Sequence, residues 1–141
     1  MTELFDTLTD FGARVAARLR DERIIWLTTV SENNEPHPRP VWFLWDGEMF
    51  LIFSRPGTHK LAHIRSNPKV SLNLDGDGLG GDIIVFTGEA WIDEKGLPQA
   101  DMEEYLQKYA EGLKRIRFTR DEFAKEYSSL IRVKPFRLRG H

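Results

Sequence analysis

An Asp46-Gly47 pair stands between two apolar runs, Val41–Trp45 (VWFLW) and Met49–Phe53 (MFLIF), and it restricts the fold more than any other feature of the chain. Asp-Gly tolerates the backbone angles of a tight hairpin turn, and aromatic and β-branched residues favour the strands on either side. A lone hairpin is marginal in water, so further strands or a helix must pack against it. The rest of the sequence supplies them. Ile24–Val30 (IIWLTTV), Val70–Leu74 (VSLNL) and Ile83–Ile92 (IIVFTGEAWI) read as strands, and Ser129–Val133 with Phe136–Leu138 reads as a closing pair interrupted by Pro135. Ser31–Pro36 (SENNEP) is a polar turn and Asp75–Gly81 (DGDGLGG) a loop. Short connections imply antiparallel pairing, and five or six strands in a chain of 141 residues suggest a small barrel. VWFLW and IIVFTG are apolar on both faces, so helices or a second subunit should cover one face.

Helices flank this β core. Leu4, Phe5, Leu8, Phe11, Val15 and Leu19 recur at helical spacing near the N-terminus. Thr58–Ser66 reads as a short helix halted by Asn67-Pro68, and Pro98–Leu113 as an amphipathic helix with Met102, Tyr105, Leu106 and Tyr109 on one side. Thr119-Arg120-Asp121-Glu122 has the form of a capping box opening another helix. The expected organisation is one mainly β domain over 1–141: a helix in 1–22, a barrel core in 24–92, helices in 98–127 and a closing strand in 128–139.

A hydrophobic fraction of 40% with 11% aromatics supports a packed core. The net charge of −2 argues against a general nucleic-acid binder. Without cysteine, disulfides and thiolate chemistry are excluded. No apolar run approaches the ~20 residues of a membrane span, and Met1–Asp6 lacks the basic and apolar regions of a signal peptide. These features set the expectation of a cytoplasmic protein with no membrane partner.

The chemistry concentrates where strand Met49–Phe53 runs into Ser54-Arg55-Pro56-Gly57-Thr58-His59-Lys60. Two hydroxyls and two cations gather at a helix start, where unpaired N–H groups and the helix dipole attract anions. Ser54 and Thr58 can donate hydrogen bonds, Arg55 can grip a phosphate with two donors, and Lys60 adds a point charge. The plainer reading is that Thr58 caps the helix and the cations are solvated.

Other motifs carry less. Gly76-Asp77-Gly78-Leu79-Gly80-Gly81 matches G-x-G-x-x-G by letter, but a strand follows where a dinucleotide site needs a helix. Asp75, Asp77 and Asp82 lack EF-hand spacing. His59 and His63 share a helix face but have no intervening Glu and no third zinc ligand. No serine sits in a nucleophile elbow. Lys114-Arg115-Ile116-Arg117 with Arg120 forms a basic run, either a solvated helix end or a contact to an acidic ligand tail. Neither a metal site nor a catalytic acid–base residue is expected.

Across nearly the whole chain, from Ile24 to Gly140, the order of these segments resembles the flavin split-barrel family, the pyridoxamine 5′-phosphate oxidase-like proteins, and within it the small coenzyme F420-dependent reductases. Pro38–Phe43, Ser54–Lys60 and Ile64–Val70 carry most of the likeness. The resemblance implies a six-stranded antiparallel split barrel of the FMN-binding type. It implies a homodimer with the cofactor between the subunits. It places phosphate on Ser54, Arg55, Thr58 and Lys60, and the flavin or deazaflavin ring along Pro40, Val41, Trp42 and Phe43. It puts a basic residue at Arg39 and assigns Asn73, with part of the Trp91 strand, to the second subunit's site. His63 stands where many relatives carry Asn. The implied activity is hydride transfer between coenzyme F420 and a small unsaturated or quinone-like substrate. The alternatives are an FMN-dependent oxidoreductase of the same fold, or a non-catalytic protein that holds a flavin or haem, with His37, His59 or His63 as axial ligand. Trp42, Phe43 and Trp45 offer an apolar pocket wall or core packing.

Overall fold

The computed structural model describes residues 4–141. One antiparallel sheet contains β1 (Ile25–Val30), β2 (Pro36–Val41), β3 (Leu44–Trp45), β4 (Phe50–Ser54), β5 (Lys69–Asn73), β6 (Ile84–Asp93) and β7 (Ser129–Gly140), in the order β2-β1-β5-β6-β7-β4-β3. The two outermost strands are neighbours in the chain, separated only by Trp42 and Phe43. In a flat sheet, six strand spacings would hold these edges about 29 Å apart. The three Cα steps from Val41 to Leu44 reach at most about 11 Å. The sheet must therefore curl until its edges nearly meet, which makes it a split barrel.

This joint also divides the run Val41–Trp45, expected as one strand. Val41 pairs with Ile25 of β1, whereas Leu44 pairs with Leu51 of β4. The division makes seven strands where six were expected. β2 begins at Pro36 and carries Pro36, Pro38 and Pro40, opposite Val30, Thr28 and Trp26. Successive N–H groups point to opposite sides of a strand, so all three missing donors fall on the free edge. A strand of this composition suits only an edge.

β7 is also continuous, where an interrupted pair was expected. Pro135 breaks its register instead: Thr87 pairs with Arg137 and Gly88 with Pro135, leaving Phe136 as the extra residue of a bulge. A Cβ on Gly88 would lie 2.7 Å from the Lys134 carbonyl oxygen, so only glycine fits there.

Two apolar clusters sit on opposite faces of β4, whose five residues are all buried. Phe50 and Ile52 point into the barrel with Ile25, Leu72, Phe86 and Val133. Val15 and Leu19 of α1 (Asp10–Asp21) and Leu61 and Ile64 of α2 (His59–Ser66) close that interior. Leu51 and Phe53 point outward, under Tyr105 and Leu106 of α3 (Gln99–Lys108), Leu113 of α4 (Ala110–Arg115) and Phe123 of α5 (Arg120–Glu126). Thr119 and Glu122 form the expected capping box. The expected helix Pro98–Leu113 is two helices, breaking at Tyr109. The N-terminal helix starts later than its apolar spacing suggested, because Thr9 accepts from Gly12 N–H as its cap and leaves Leu8 93% exposed. The part of that expected helix in 1–3 lies outside the described residues.

Tyr109 fixes the joint. Its hydroxyl accepts from Phe43 N–H at 2.7 Å and offers its proton to the carbonyls of Phe43 at 2.8 Å and Arg23 at 2.7 Å. Trp42 stacks on its ring, with centroids 4.5 Å apart and planes 6° apart. Lys108 Nζ donates to the Phe43 carbonyl at 3.0 Å and lies 3.8 Å from the Phe43 ring centroid. Burial, then the nearby Arg23, pushes the Lys108 pKa from 10.5 down to about 8.

Tyr109→Phe should cost about 1–3 kcal/mol in urea unfolding, because it strands a buried N–H at the barrel joint; an unchanged midpoint would mean the hydroxyl does not hold the joint. Lys108 makes a second, pH-dependent prediction. Between about 8 and 10.5 the unfolded chain binds the Lys108 proton more tightly than the folded one, so its contribution to stability rises with pH across that window and is flat below it. The difference in unfolding free energy between wild type and Lys108→Met should follow this rise from pH 7.5 to 9.5, and a difference independent of pH would contradict it.

Candidate functional site

A groove of about 290 Å³ opens beside the joint. Pro40, Val41 and Trp42 form a wall, Lys60 of α2 lines the same groove, and the buried rings of Phe53 and Tyr105 form the floor. Trp42 is held in place by ring stacking. It stacks on Tyr109 and on Phe123 (5.9 Å), and Phe123 stacks in turn on Tyr127 (4.8 Å). Gly112 lets this ladder close, since a Cβ there would come within 3.0 Å of the Trp42 ring.

Arg39 and Lys60 supply the charge. No ion pair or hydrogen bond among the described residues uses either side chain. Lys60 is half-buried, and its pKa is lowered first by burial and then by Arg39. Two cations that weaken each other, with no acid between them, form a place an anion would stabilise.

The rest of the anion turn is braced internally. Ser54 is 1% exposed; its hydroxyl bonds to the Arg55 carbonyl at 3.0 Å and to the Thr58 hydroxyl at 3.0 Å. Thr58 makes no side-chain cap on α2, contrary to the plainer reading of this turn. Gly57 takes a φ of 77°, which a side chain would resist. Arg55 is engaged by the helical layer, pairing with Glu126 at 2.9 Å and lying 5.2 Å from the Tyr127 ring centroid. Phe43 is fully buried in the barrel and does not line the groove. Asn73 lies on the outer sheet face, in the cross-strand row Pro40–Trp26–Asn73–Val85, with its amide 3.4 Å from the Leu74 carbonyl. The structure thus gathers Pro40, Val41, Trp42 and Lys60, with Arg39 acting on Lys60. Ser54 and Thr58 shape their turn, Arg55 sits over the groove-lining Tyr127 in its pair with Glu126, and Phe43 and Asn73 lie outside the lining. Tyr105, Phe123 and Tyr127 join the groove unforeseen, because a helical apolar stripe does not distinguish core from cavity lining.

Three histidines lie on neighbouring elements. His63 Nδ1 is 2.8 Å from the Thr29 hydroxyl, and its ring is 4.6 Å from His37 and 6.4 Å from His59. Burial and these two neighbours lower its pKa. Among the described residues no group of three His, Cys, Asp or Glu side chains is arranged to hold a metal. In the basic run, Lys114 pairs with Glu111 at 3.6 Å and Arg120 with Glu103 at 2.6 Å. Ile116, between Arg115 and Arg117, lies at the groove's rim. The glycine-rich loop leads into β6 and is tied to α1 by Arg18, whose guanidinium reaches Asp82 at 3.0 Å and the Asp75 carbonyl at 2.7 Å. Among the described residues no helix is long and apolar enough to cross a membrane.

The fold recurs in solved structures. A Listeria innocua protein provisionally named a pyridoxamine 5′-phosphate oxidase is similar at 23% identity, with a TM-score of 0.67 over 90% of this chain and 94% of its own. An F420 reductase aligns at 20% identity, with a TM-score of 0.64 over 87% and 94% of the two chains. HutZ, a haem storage protein of Vibrio cholerae, aligns at 18% identity, with a TM-score of 0.62 over 90% and 92%. At these identities the likeness shows the fold alone. No curated protein sequence matches. The family model described as pyridoxamine 5′-phosphate oxidase matches residues 11–141, and with the split barrel in hand the chain belongs to that family.

Proposed function

We propose that the protein is an oxidoreductase that holds coenzyme F420, with its phosphate on Lys60 and Arg39 and its ring along Pro40, Val41 and Trp42, and passes hydride between that ring and a small unsaturated or quinone-like substrate. The observation that carries this reading is a groove with an aromatic wall lined by Lys60, a half-buried cation that pairs with no acid among the described residues and whose charge the nearby Arg39 disfavours. The groove's chemistry fits the group: an anion relieves the Lys60–Arg39 repulsion, and a planar ring matches the Trp42 wall. The cofactor supplies the hydride chemistry. The chain's own residues bind and orient. Lys60 and Arg39 anchor one end, Trp42 fixes the plane, and Phe53 with Phe123 keeps water from the floor.

Arg115 and Arg117 beside the rim residue Ile116 favour the deazaflavin over FMN, since they can meet its acidic oligoglutamate tail. The groove is open, and the outer row Trp26–Asn73–Val85 is half-buried in one copy. A second copy of the chain covering that face would form the homodimer and bring Asn73 to the partner's site. A second reading is a non-catalytic haem- or flavin-holding protein. The cluster of His37, His59 and His63 favours it, and HutZ shows that the fold can serve such a role.

Tryptophan quenching on titration with coenzyme F420 and, in parallel, FMN tests the proposal. Tighter binding of F420 is expected, and preference for FMN would move the protein to the alternative cofactor. Lys60→Ala should weaken the preferred cofactor by about 1.5–3 kcal/mol, the scale of a charged hydrogen bond and roughly 10- to 100-fold in Kd. Unchanged affinity would remove Lys60 from the site. A Soret band on adding haemin, with neither flavin bound, would favour the haem reading.

A further inference from the structure

Two tyrosines four residues apart, at the α3–α4 junction, have opposite fates. Tyr109 spends its hydroxyl on the barrel joint. Tyr105 is 1% exposed, and its hydroxyl has no hydrogen-bond partner among the described residues. Its neighbours are rings: Phe53 meets it edge-on at 4.8 Å, Tyr109 lies at 5.1 Å and Phe123 at 5.9 Å. None of these rings offers a strong acceptor, and the Phe53 backbone beside the oxygen favours its charged form, as an N–H does, so the hydroxyl proton is left without an acceptor. A buried hydroxyl without a partner destabilises the fold, and Phe would fill the same space without that cost. The same side chain lines the groove beside Trp42 and Lys60.

We infer that Tyr105 is a ligand-binding residue whose O–H donates a hydrogen bond to a carbonyl oxygen of a flat conjugated ring seated in the groove. This rests on the reading above, in which the groove holds such a ring. A carbonyl is the fitting partner because the phenol must act as donor. Burial, and next Tyr109, push its pKa well above the usual value, so it stays protonated through the working range of pH. The ring can be that of the bound cofactor or that of a quinone or enone substrate, since both carry such oxygens. In either case the site selects for a ring carbonyl at the floor, a requirement that the Lys60–Arg39 anchor does not impose.

Tyr105→Phe removes only the oxygen. Wild type and variant are compared by thermal unfolding without ligand and by tryptophan quenching with coenzyme F420, FMN and menadione. The proposal expects the variant to unfold at an equal or higher temperature, yet to bind at least one of the three about 3- to 10-fold more weakly. A loss confined to F420 or FMN identifies the cofactor ring as the partner, and a loss confined to menadione identifies the substrate. If wild type binds these compounds and the variant binds all of them equally well, the inference is overturned while the groove's assignment stands. If wild type binds none of them, the groove's assignment fails and the inference with it. A variant that unfolds at a lower temperature with unchanged affinities assigns the hydroxyl a structural role and also overturns it.

Discussion

The structure depends on a two-residue link. Trp42 and Phe43 join the two outermost strands of a seven-stranded sheet, so the chain cannot satisfy both pairings without curling the sheet. Each residue of the link faces a different way. Phe43 is buried in the barrel, and Trp42 lies outside, stacked against aromatic rings. One short segment thus fixes barrel closure and also supplies the flat wall of the groove. Tyr109 and Lys108 reach it from the helical layer and hold its backbone by hydrogen bonds. The helices are therefore part of the closure as well as a cover for β4.

The same economy appears in the charge. Eight of the twenty Lys and Arg residues are paired with acids within the fold, among them Arg55 with Glu126, Arg132 with Asp93, and Arg18 with Asp82 and Glu22. Such exposed or half-exposed pairs contribute little stability each, but they remove competing positive charge from the surface. Lys60 stands apart from these pairs in the groove that Pro40–Trp42 line, with Arg39 close enough to disfavour its charge. Positive potential is left where an aromatic surface already exists, and that coincidence is what makes the groove a candidate site.

Much of the frame was legible in the sequence, because strand signals are local. Ile24–Val30, Val70–Leu74 and Ile83–Ile92 each lie within a residue of the observed β1, β5 and β6 at both ends. The Thr119–Glu122 capping box is present as its spacing implied. The division of Val41–Trp45 was not legible, since an apolar run does not reveal that its two halves pair with different neighbours. Nor was the register of β7, because Pro135 is tolerated only through a bulge opposite Gly88. At the site, Lys60 and the Pro40–Trp42 wall could be named in advance. That Arg55 would instead pair with Glu126 on a helix distant in sequence could not. Tyr105 and Tyr109 looked alike on their helix, and only the partners brought by tertiary packing separate a structural hydroxyl from an unsatisfied one.

The proposed function requires an anionic group on Lys60 and Arg39, with a flat ring on Trp42. A crystal structure of the protein grown with its preferred flavin-type cofactor tests this most directly. Phosphate oxygens are expected within hydrogen-bonding distance of Lys60 Nζ and the Arg39 guanidinium, with a ring lying along Pro40, Val41 and Trp42. A cofactor bound elsewhere, or one whose phosphate is held by Arg55 while Lys60 and Arg39 face solvent, would contradict the proposal.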